Sequence, residues 1–223
     1  MSIVFFGDSI TEGSNCDFSF AECIEDTRHY EDVVNLGVSG TTIGEYSIYP
    51  VDGDSLLRMA RTPELGYATK VFIEYGINDV SSIMCGFVDE HQVIVNFVKA
   101  LDGIQQRVNN AELYFLAISC DTDIIKQYAK LQCDYLSNEY FRGFNFTFPS
   151  LTWADQYERL IDNFSKRLKI IPMVEDDTFF DEDSKYLSFD KLHPNDEGHH
   201  VIADTICKHI EGFTHIFPLY NNF

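Results

Sequence analysis

Apolar runs and polar breakers alternate along this chain, and the period of the alternation switches between strand-like and helix-like. Five short runs, Ile3 to Phe6, Val33 to Val38, Lys70 to Tyr75, Glu112 to Ser119 and Lys169 to Val174, each end in a polar or glycine-rich turn, which predicts five strands. Between them, His91 to Val108 repeats Val93, Ile94, Phe97, Val98, Leu101 and Ile104 at helical spacing. Asp121 to Tyr140 and Thr152 to Leu168 read as further helices. The last, Asp196 to Ile210, aligns Ile202, Ile206 and Ile210 on one face behind Asn195 as N-cap. Continuous apolar strands separated by helices are covered on both faces, so the pattern predicts a parallel sheet with right-handed crossovers in a three-layer α/β/α sandwich.

Two stretches break the alternation and read as insertions: Ser81 to Asp89, and Phe141 to Leu151 with Phe141, Phe144, Phe146 and Phe148. Aromatics in a long connection either pack it down or contact substrate, and packing is the expectation. Without a repeat, linker or low-complexity stretch, the 223 residues are compatible with one domain over 1–223. It closes on an aromatic-rich segment, 213–223, expected to dock on its own domain; a subunit contact is the alternative, and the oligomeric state is unknown from sequence.

Composition narrows the partners. A formal charge of −20 repels nucleic-acid phosphates and anionic bilayers alike, so neither is an expected partner. The sequence contains no run of about 18 apolar residues, the length that spans a membrane. Strand one is read almost at the first residue, so no signal peptide is expected. The six cysteines, at 16, 23, 85, 120, 133 and 207, show neither CxxC nor metal-type spacing and sit mostly in apolar surroundings. The expectation is therefore a cytoplasmic protein with reduced thiols, a secreted or virion-associated one being the alternative.

Ligands of an open α/β sheet collect beyond the carboxyl ends of its strands, so the turn after strand one, Gly7-Asp8-Ser9-Ile10-Thr11-Glu12, offers Ser9 as a nucleophile. A hydroxyl needs a base, the base needs a group that fixes its tautomer, and a developing oxyanion needs fixed donors. In Asp190-Lys191-Leu192-His193-Pro194-Asn195, His193 is a candidate base, with Asp190 three residues earlier in a turn that Pro194 keeps from helical geometry. Two further turns, Asn35 to Thr42 and Gly76-Ile77-Asn78-Asp79, each follow an apolar run and offer donors.

These blocks, in this order, resemble the SGNH hydrolases, also called GDSL-type esterases and lipases. The match consists of Gly7 to Thr11, Asn35 to Gly40, Gly76 to Asp79, and Asp190 to Asn195. The resemblance implies a flavodoxin-like strand order 2-1-3-4-5, with Ser9 as nucleophile, His193 as base and Asp190 as its partner. It also implies the Gly40 N–H, the Asn78 side-chain amide and the N–H of Ser9 itself as oxyanion donors. Gly37 lies in the second block too, but Ser39-Gly40 followed by threonine fits the family better, and Gly37 is the fallback. On the predicted sheet Ser9, Gly40 and Asn78 follow strands one, two and three, and the Asp190 turn follows strand five, so all converge on one edge.

The resemblance implies hydrolysis of a carboxylic ester through an acyl-serine, with no metal and no organic cofactor. A small-molecule or glycan ester with a short acyl group is expected, since no long apolar lid segment is visible. Lipase or thioesterase action, acyl transfer to another acceptor, and a non-catalytic carbohydrate-binding module on the same fold are the alternatives. His199 and His200 lack HExxH spacing and read as structural or solvated. The acidic stretch from Glu175 to Asp183 lacks the spacing of a calcium loop. Asn145-Phe146-Thr147 and Asn163-Phe164-Ser165 match the glycosylation sequon but carry little meaning without a secretion signal. Ser9 also lacks the Gly-x-Ser-x-Gly of a nucleophile elbow, because Thr11 stands where that motif needs glycine.

Overall fold

Five parallel strands run in the order β2-β1-β3-β4-β5 in the computed structural model, which describes residues 2–28, 32–49, 54–61, 63–108, 110–142 and 148–210. The strands are β1 (Ser2–Gly7), β2 (Asp32–Gly37), β3 (Lys70–Glu74), β4 (Glu112–Ala117) and β5 (Lys169–Pro172). The helices are α1 (Ser9–Glu12), α2 (Phe20–Arg28), α3 (Leu56–Met59), α4 (Ile77–Met84), α5 (Glu90–Gln105), α6 (Thr122–Tyr135), α7 (Ser150–Phe164) and α8 (Asp196–His209). On one side α2 packs with α8; α3, α5, α7, α4 and α6 pack among themselves as a second group. The three-layer sandwich and the strand order are those expected from the sequence.

Alternation along the strands explains both layers. Phe5, Phe72 and Tyr114 are register partners on β1, β3 and β4, and their rings stack at 4.9 and 5.0 Å, with Phe20 of α2 edge-on to Phe5. One residue further along β4, Phe115 points the other way and meets Phe97 of α5 and Phe164 of α7. Each such buried ring stabilises the fold by roughly 1.5–3 kcal/mol, so the sheet is clamped from both faces.

Three expectations need correction. Ser81 to Asp89 is not a loop insertion: Ser81 and Ser82 lie inside α4, where their hydroxyls donate to Ile77 O and Asn78 O. Asp89 caps α5 by accepting from Gln92 N–H, leaving only a short link between these helices. The helix predicted over Asp121 to Tyr140 changes to π geometry at Leu136–Tyr140, which turns Tyr140 toward the sheet edge that carries Ser9. The helices α1 and α3, each of four residues, are too short to show a period, and α2, which spaces Phe20, Cys23 and Ile24 at helical intervals, joins them as additions to the predicted elements. Asn195 does cap α8, accepting from Gly198 N–H at 3.0 Å.

Of the six cysteines Cys23, Cys133 and Cys207 are buried, Cys16 and Cys85 are half-buried and Cys120 is exposed. Phe141 and Phe148 pack on each other, their rings 5.3 Å apart, in keeping with the packing expectation for that connection. Phe144, Phe146, the sequon at 145–147 and the segment 213–223 lie outside the described residues. Among the described residues no helix is long and apolar enough to cross a membrane.

Candidate active site

The turn from Ser188 to Pro194 is built by one side chain. Asp190 Oδ1 accepts from Leu192 N–H and His193 N–H, each at 3.0 Å, and from the Ser188 hydroxyl at 2.7 Å. Lys191 completes the loop at φ 57°, and Ser188 N–H donates back to His193 O. Asp190 Oδ2 is thereby aimed at the imidazole and lies 2.6 Å from His193 Nδ1. At the far side of the ring His193 Nε2 lies 2.9 Å from Ser9 Oγ, across 184 residues of sequence. Burial would push the Asp190 carboxyl up, but the hydrogen bonds from His193, Leu192 and Ser188 and the charge of His193 outweigh it, and hold the group well below the ordinary carboxylate range.

Ser9 is the first residue of α1, with Asp8 as N-cap accepting from Ile10 N–H at 3.1 Å. Beside it, Gly40 takes φ 73°, a conformation glycine adopts without steric cost. Among the described residues nothing accepts from the Ser9 or Gly40 amide N–H. Gly37 serves the packing of the fold instead, since a Cβ there would come within 2.2 Å of Glu12 N and its absence lets α1 approach β2. Gly40 lines the cavity that holds Ser9, whereas the Gly37 N–H donates to Asn35 Oδ1 at 2.9 Å. Asn78 arrives from the first turn of α4; its amide donates to Thr41 O at 3.0 Å and to Asp8 Oδ2 at 3.2 Å.

Ser9, Gly40, Asn78 and His193 line one cavity of about 100 Å³, walled by Tyr49, Tyr128, Tyr135 and Tyr140. Tyr135 stands edge-on to the His193 ring, 6.0 Å between centroids. It also borders a wider hollow of about 420 Å³ lined by Lys130, Asp134, Asn138 and Glu182 together with Leu131 and Phe180.

Three carboxyls lie beneath this cavity in the dry interior. Asp79 accepts from Ile43 N–H, Gly76 N–H and the Tyr46 hydroxyl, and burial nonetheless raises it to about 6. Asp8 and Glu74, each 1% exposed, lie side by side, Asp8 N–H donating to Glu74 Oε2 at 3.3 Å, and burial, with the neighbouring carboxyl charge for Asp8, raises both.

Sequence reasoning misses several of these residues. Asn15, at φ 66°, donates to Asp190 Oδ2 at 2.9 Å and so shares that oxygen with His193; no local pattern announces it. Glu74 does leave a signal, a carboxylate directly after the apolar Val71-Phe72-Ile73. His199 is fully buried and His200 exposed, so one of the pair is structural and the other solvated. Among the described residues no group of three or more His, Cys, Asp and Glu side chains is placed to hold a metal ion.

Several solved structures share this fold. A lipase from a goat rumen metagenome superposes with a TM-score of 0.57 at 15% identity, covering 92% of this chain and 95% of its own. A lipolytic protein of the G-D-S-L family from Veillonella parvula gives 0.58 at 17% identity over 94% and 98%. A family two carbohydrate esterase from Clostridium thermocellum, determined with cellohexaose, gives 0.57 at 15% identity over 92% of this chain and 62% of that one. At such identities the likeness establishes the fold. No curated protein sequence matches the chain. The sequence profile of the GDSL-like lipase/acylhydrolase family, however, matches residues 5–201, and the protein belongs to that family.

Proposed function

We propose that the protein is a serine esterase that hydrolyses carboxylic esters carrying a short acyl group. The observation that carries this reading is the unbroken relay from Ser9 Oγ through His193 to Asp190, at 2.9 and 2.6 Å. His193 Nε2 takes the Ser9 proton as Oγ attacks the ester carbonyl, and Asp190 steadies the imidazolium. The N–H groups of Ser9 and Gly40 and the Asn78 amide receive the oxyanion. His193 then protonates the leaving alcohol, and water, activated by the same imidazole, releases the acid and restores Ser9.

Acyl length follows from the cavity. Its roughly 100 Å³ is well under the about 300–1,000 Å³ of pockets for drug-sized ligands, and its wall of tyrosines leaves little depth for a chain. The hollow that Tyr135 also borders offers Lys130, Asp134, Asn138 and Glu182 to a polar alcohol such as a sugar hydroxyl.

Labelling with a fluorophosphonate probe, together with turnover of p-nitrophenyl acetate, butyrate and octanoate, tests both halves. The protein should label at Ser9, Ser9→Ala should not, and acetate should be the best of the three esters. A folded Ser9→Ala protein that still labels and turns over removes the nucleophile. A preference for octanoate removes the short-acyl assignment.

A further inference from the structure

The Asn78 amide presents a conflict that the reaction has to resolve. Its two N–H groups already have acceptors, Thr41 O at 3.0 Å and Asp8 Oδ2 at 3.2 Å, so donation to an oxyanion requires one bond to yield. The longer bond, to Asp8, is the one to give way. How readily it does so depends on the charge of Asp8, because a hydrogen bond to a carboxylate is about twice as strong as one to a neutral acceptor.

Glu74 sets that charge. Gly7 and Glu74 are register partners at the ends of β1 and β3, which brings the Glu74 side chain under the Ser9 turn. There Glu74 Oε2 accepts from the Thr11 hydroxyl at 3.0 Å and from Asp8 N–H at 3.3 Å, while Oε1 is buried without a conventional donor. Space for this arrangement comes from Gly7, where a Cβ would lie 1.9 Å from Thr11 Oγ1 and 2.9 Å from Glu74 Oε2. Two carboxyls in contact in a dry interior cannot both ionise. The other ionisable groups facing them are Asp79, His193 and the phenols of Tyr49, Tyr75, Tyr128 and Tyr157, of which only a protonated His193 would bring positive charge.

Building on the esterase reading, we propose that Glu74 is a positioning residue for the oxyanion site: it shares one proton with Asp8, keeping Asp8 a neutral, weak acceptor that releases the Asn78 amide to the oxyanion. The pair's single negative charge then rests on Glu74, one group further from the reacting carbonyl. An ionised Asp8 would both hold the Asn78 donor and repel the oxyanion.

Glu74→Gln tests this with nearly the same shape. A glutamine cannot share the proton and can donate to Asp8, so Asp8 ionises. With p-nitrophenyl acetate, kcat should fall about 10- to 100-fold with KM within about twofold, a loss confined to the transition state. In an Asn78→Ala background the same substitution should cost little more, because the donor it disables is already gone. Wild-type kcat in Glu74→Gln, or full additivity with Asn78→Ala, overturns the proposal. An infrared measurement does not depend on activity or on the variant folding: at pH 7 the wild-type protein should show the C=O stretch of a buried protonated carboxyl that resists deuterium exchange. Its absence also overturns the proposal. Failure of the esterase reading would look different, with wild type neither labelled nor active while the infrared band persists.

Discussion

Asp190 and Glu74 both serve the turn that carries Ser9, one through His193 and the other through Asp8 and Thr11, yet their surroundings drive them in opposite directions. Asp190 collects donors from Ser188, Leu192, His193 and Asn15 at a partly open edge, and it stays ionised. Glu74 lies at the dry end of β3 against a second carboxyl, accepting from the Thr11 hydroxyl and the Asp8 backbone, and burial raises it. The residue type is almost the same; the number of converging donors decides the charge. In the proposed mechanism the carboxylate steadies a transient imidazolium, whereas the proposed carboxyl pair, holding one proton, keeps charge away from a transient oxyanion.

The ionised side of this comparison has the larger expected effect. In Asp190→Asn the amide keeps the size of the side chain but presents either an N–H to His193 Nδ1 or the wrong group to Leu192 and His193 N–H. The imidazole then loses its tautomer, and kcat should fall by about 10⁴, as expected when a buried triad carboxylate is neutralised. A loss below about tenfold in a folded variant would mean that Asp190 merely shapes the turn. Asn78→Ala comes next: one oxyanion donor is worth about 10² to 10³ in kcat, with little change in KM. A drop in which KM carries the whole effect would place Asn78 in ground-state binding instead.

Legibility in the sequence follows the same division. The Asp190 turn is local: the carboxylate, the backbone N–H groups it organises and the imidazole it orients lie close together in the chain, so Asp-Lys-Leu-His-Pro reads as a unit. Ser9, Gly40 and Asn78 are legible because each follows an apolar strand, and parallel strands deliver their ends to one edge. Glu74 acts on residues 63 and 66 positions away, and the link depends on which residue of β3 stands beside Gly7, a register that no run of apolar residues specifies. Ser81 to Asp89 misleads for a related reason. Serines and a glycine resemble loop composition, but inside α4 the serine hydroxyls find carbonyls one turn back.

Asn15 refines the Asp190 side at smaller cost. It is exposed and gives only the second donor to Oδ2, so Asn15→Ala should lower kcat about threefold, or under about 1 kcal/mol. The result worth having is the contrast with Asp190→Asn: an equally large loss would mean that Asn15, and not the turn itself, sets the carboxylate.

The buried side extends to a base, and there the expected effect falls on stability, is nearly absent at pH 7, and has a fixed sign. His199 is fully buried against Phe20; its Nδ1 accepts from Phe20 N–H at 3.1 Å, which puts the ring proton on Nε2, where no partner meets it. Burial pushes its pKa from 6.5 down to about 4. As pH falls through that range the unfolded chain takes up a proton that the native protein refuses, so stability declines on acidification. Asp79, raised from 3.8 to about 6, works the other way: the native protein keeps a proton that the unfolded chain releases as pH rises, so stability declines on alkalinisation there. The two oppose each other between about pH 4 and 6, and a wild-type melting profile alone would hide both. His199→Phe separates them, because it retains the packing on Phe20 and removes only the titrating group. At pH 7 the lost acceptor and the removed unpaired N–H, each about 1 kcal/mol or somewhat more, nearly offset. At about pH 4.5 the variant should melt higher than wild type, by about 2–4 °C for each kcal/mol of proton linkage. Parallel melting curves from about pH 7 to 4.5 would mean that His199 is protonated as readily in the native protein as in the unfolded chain, and that the dry interior does not select for neutrality.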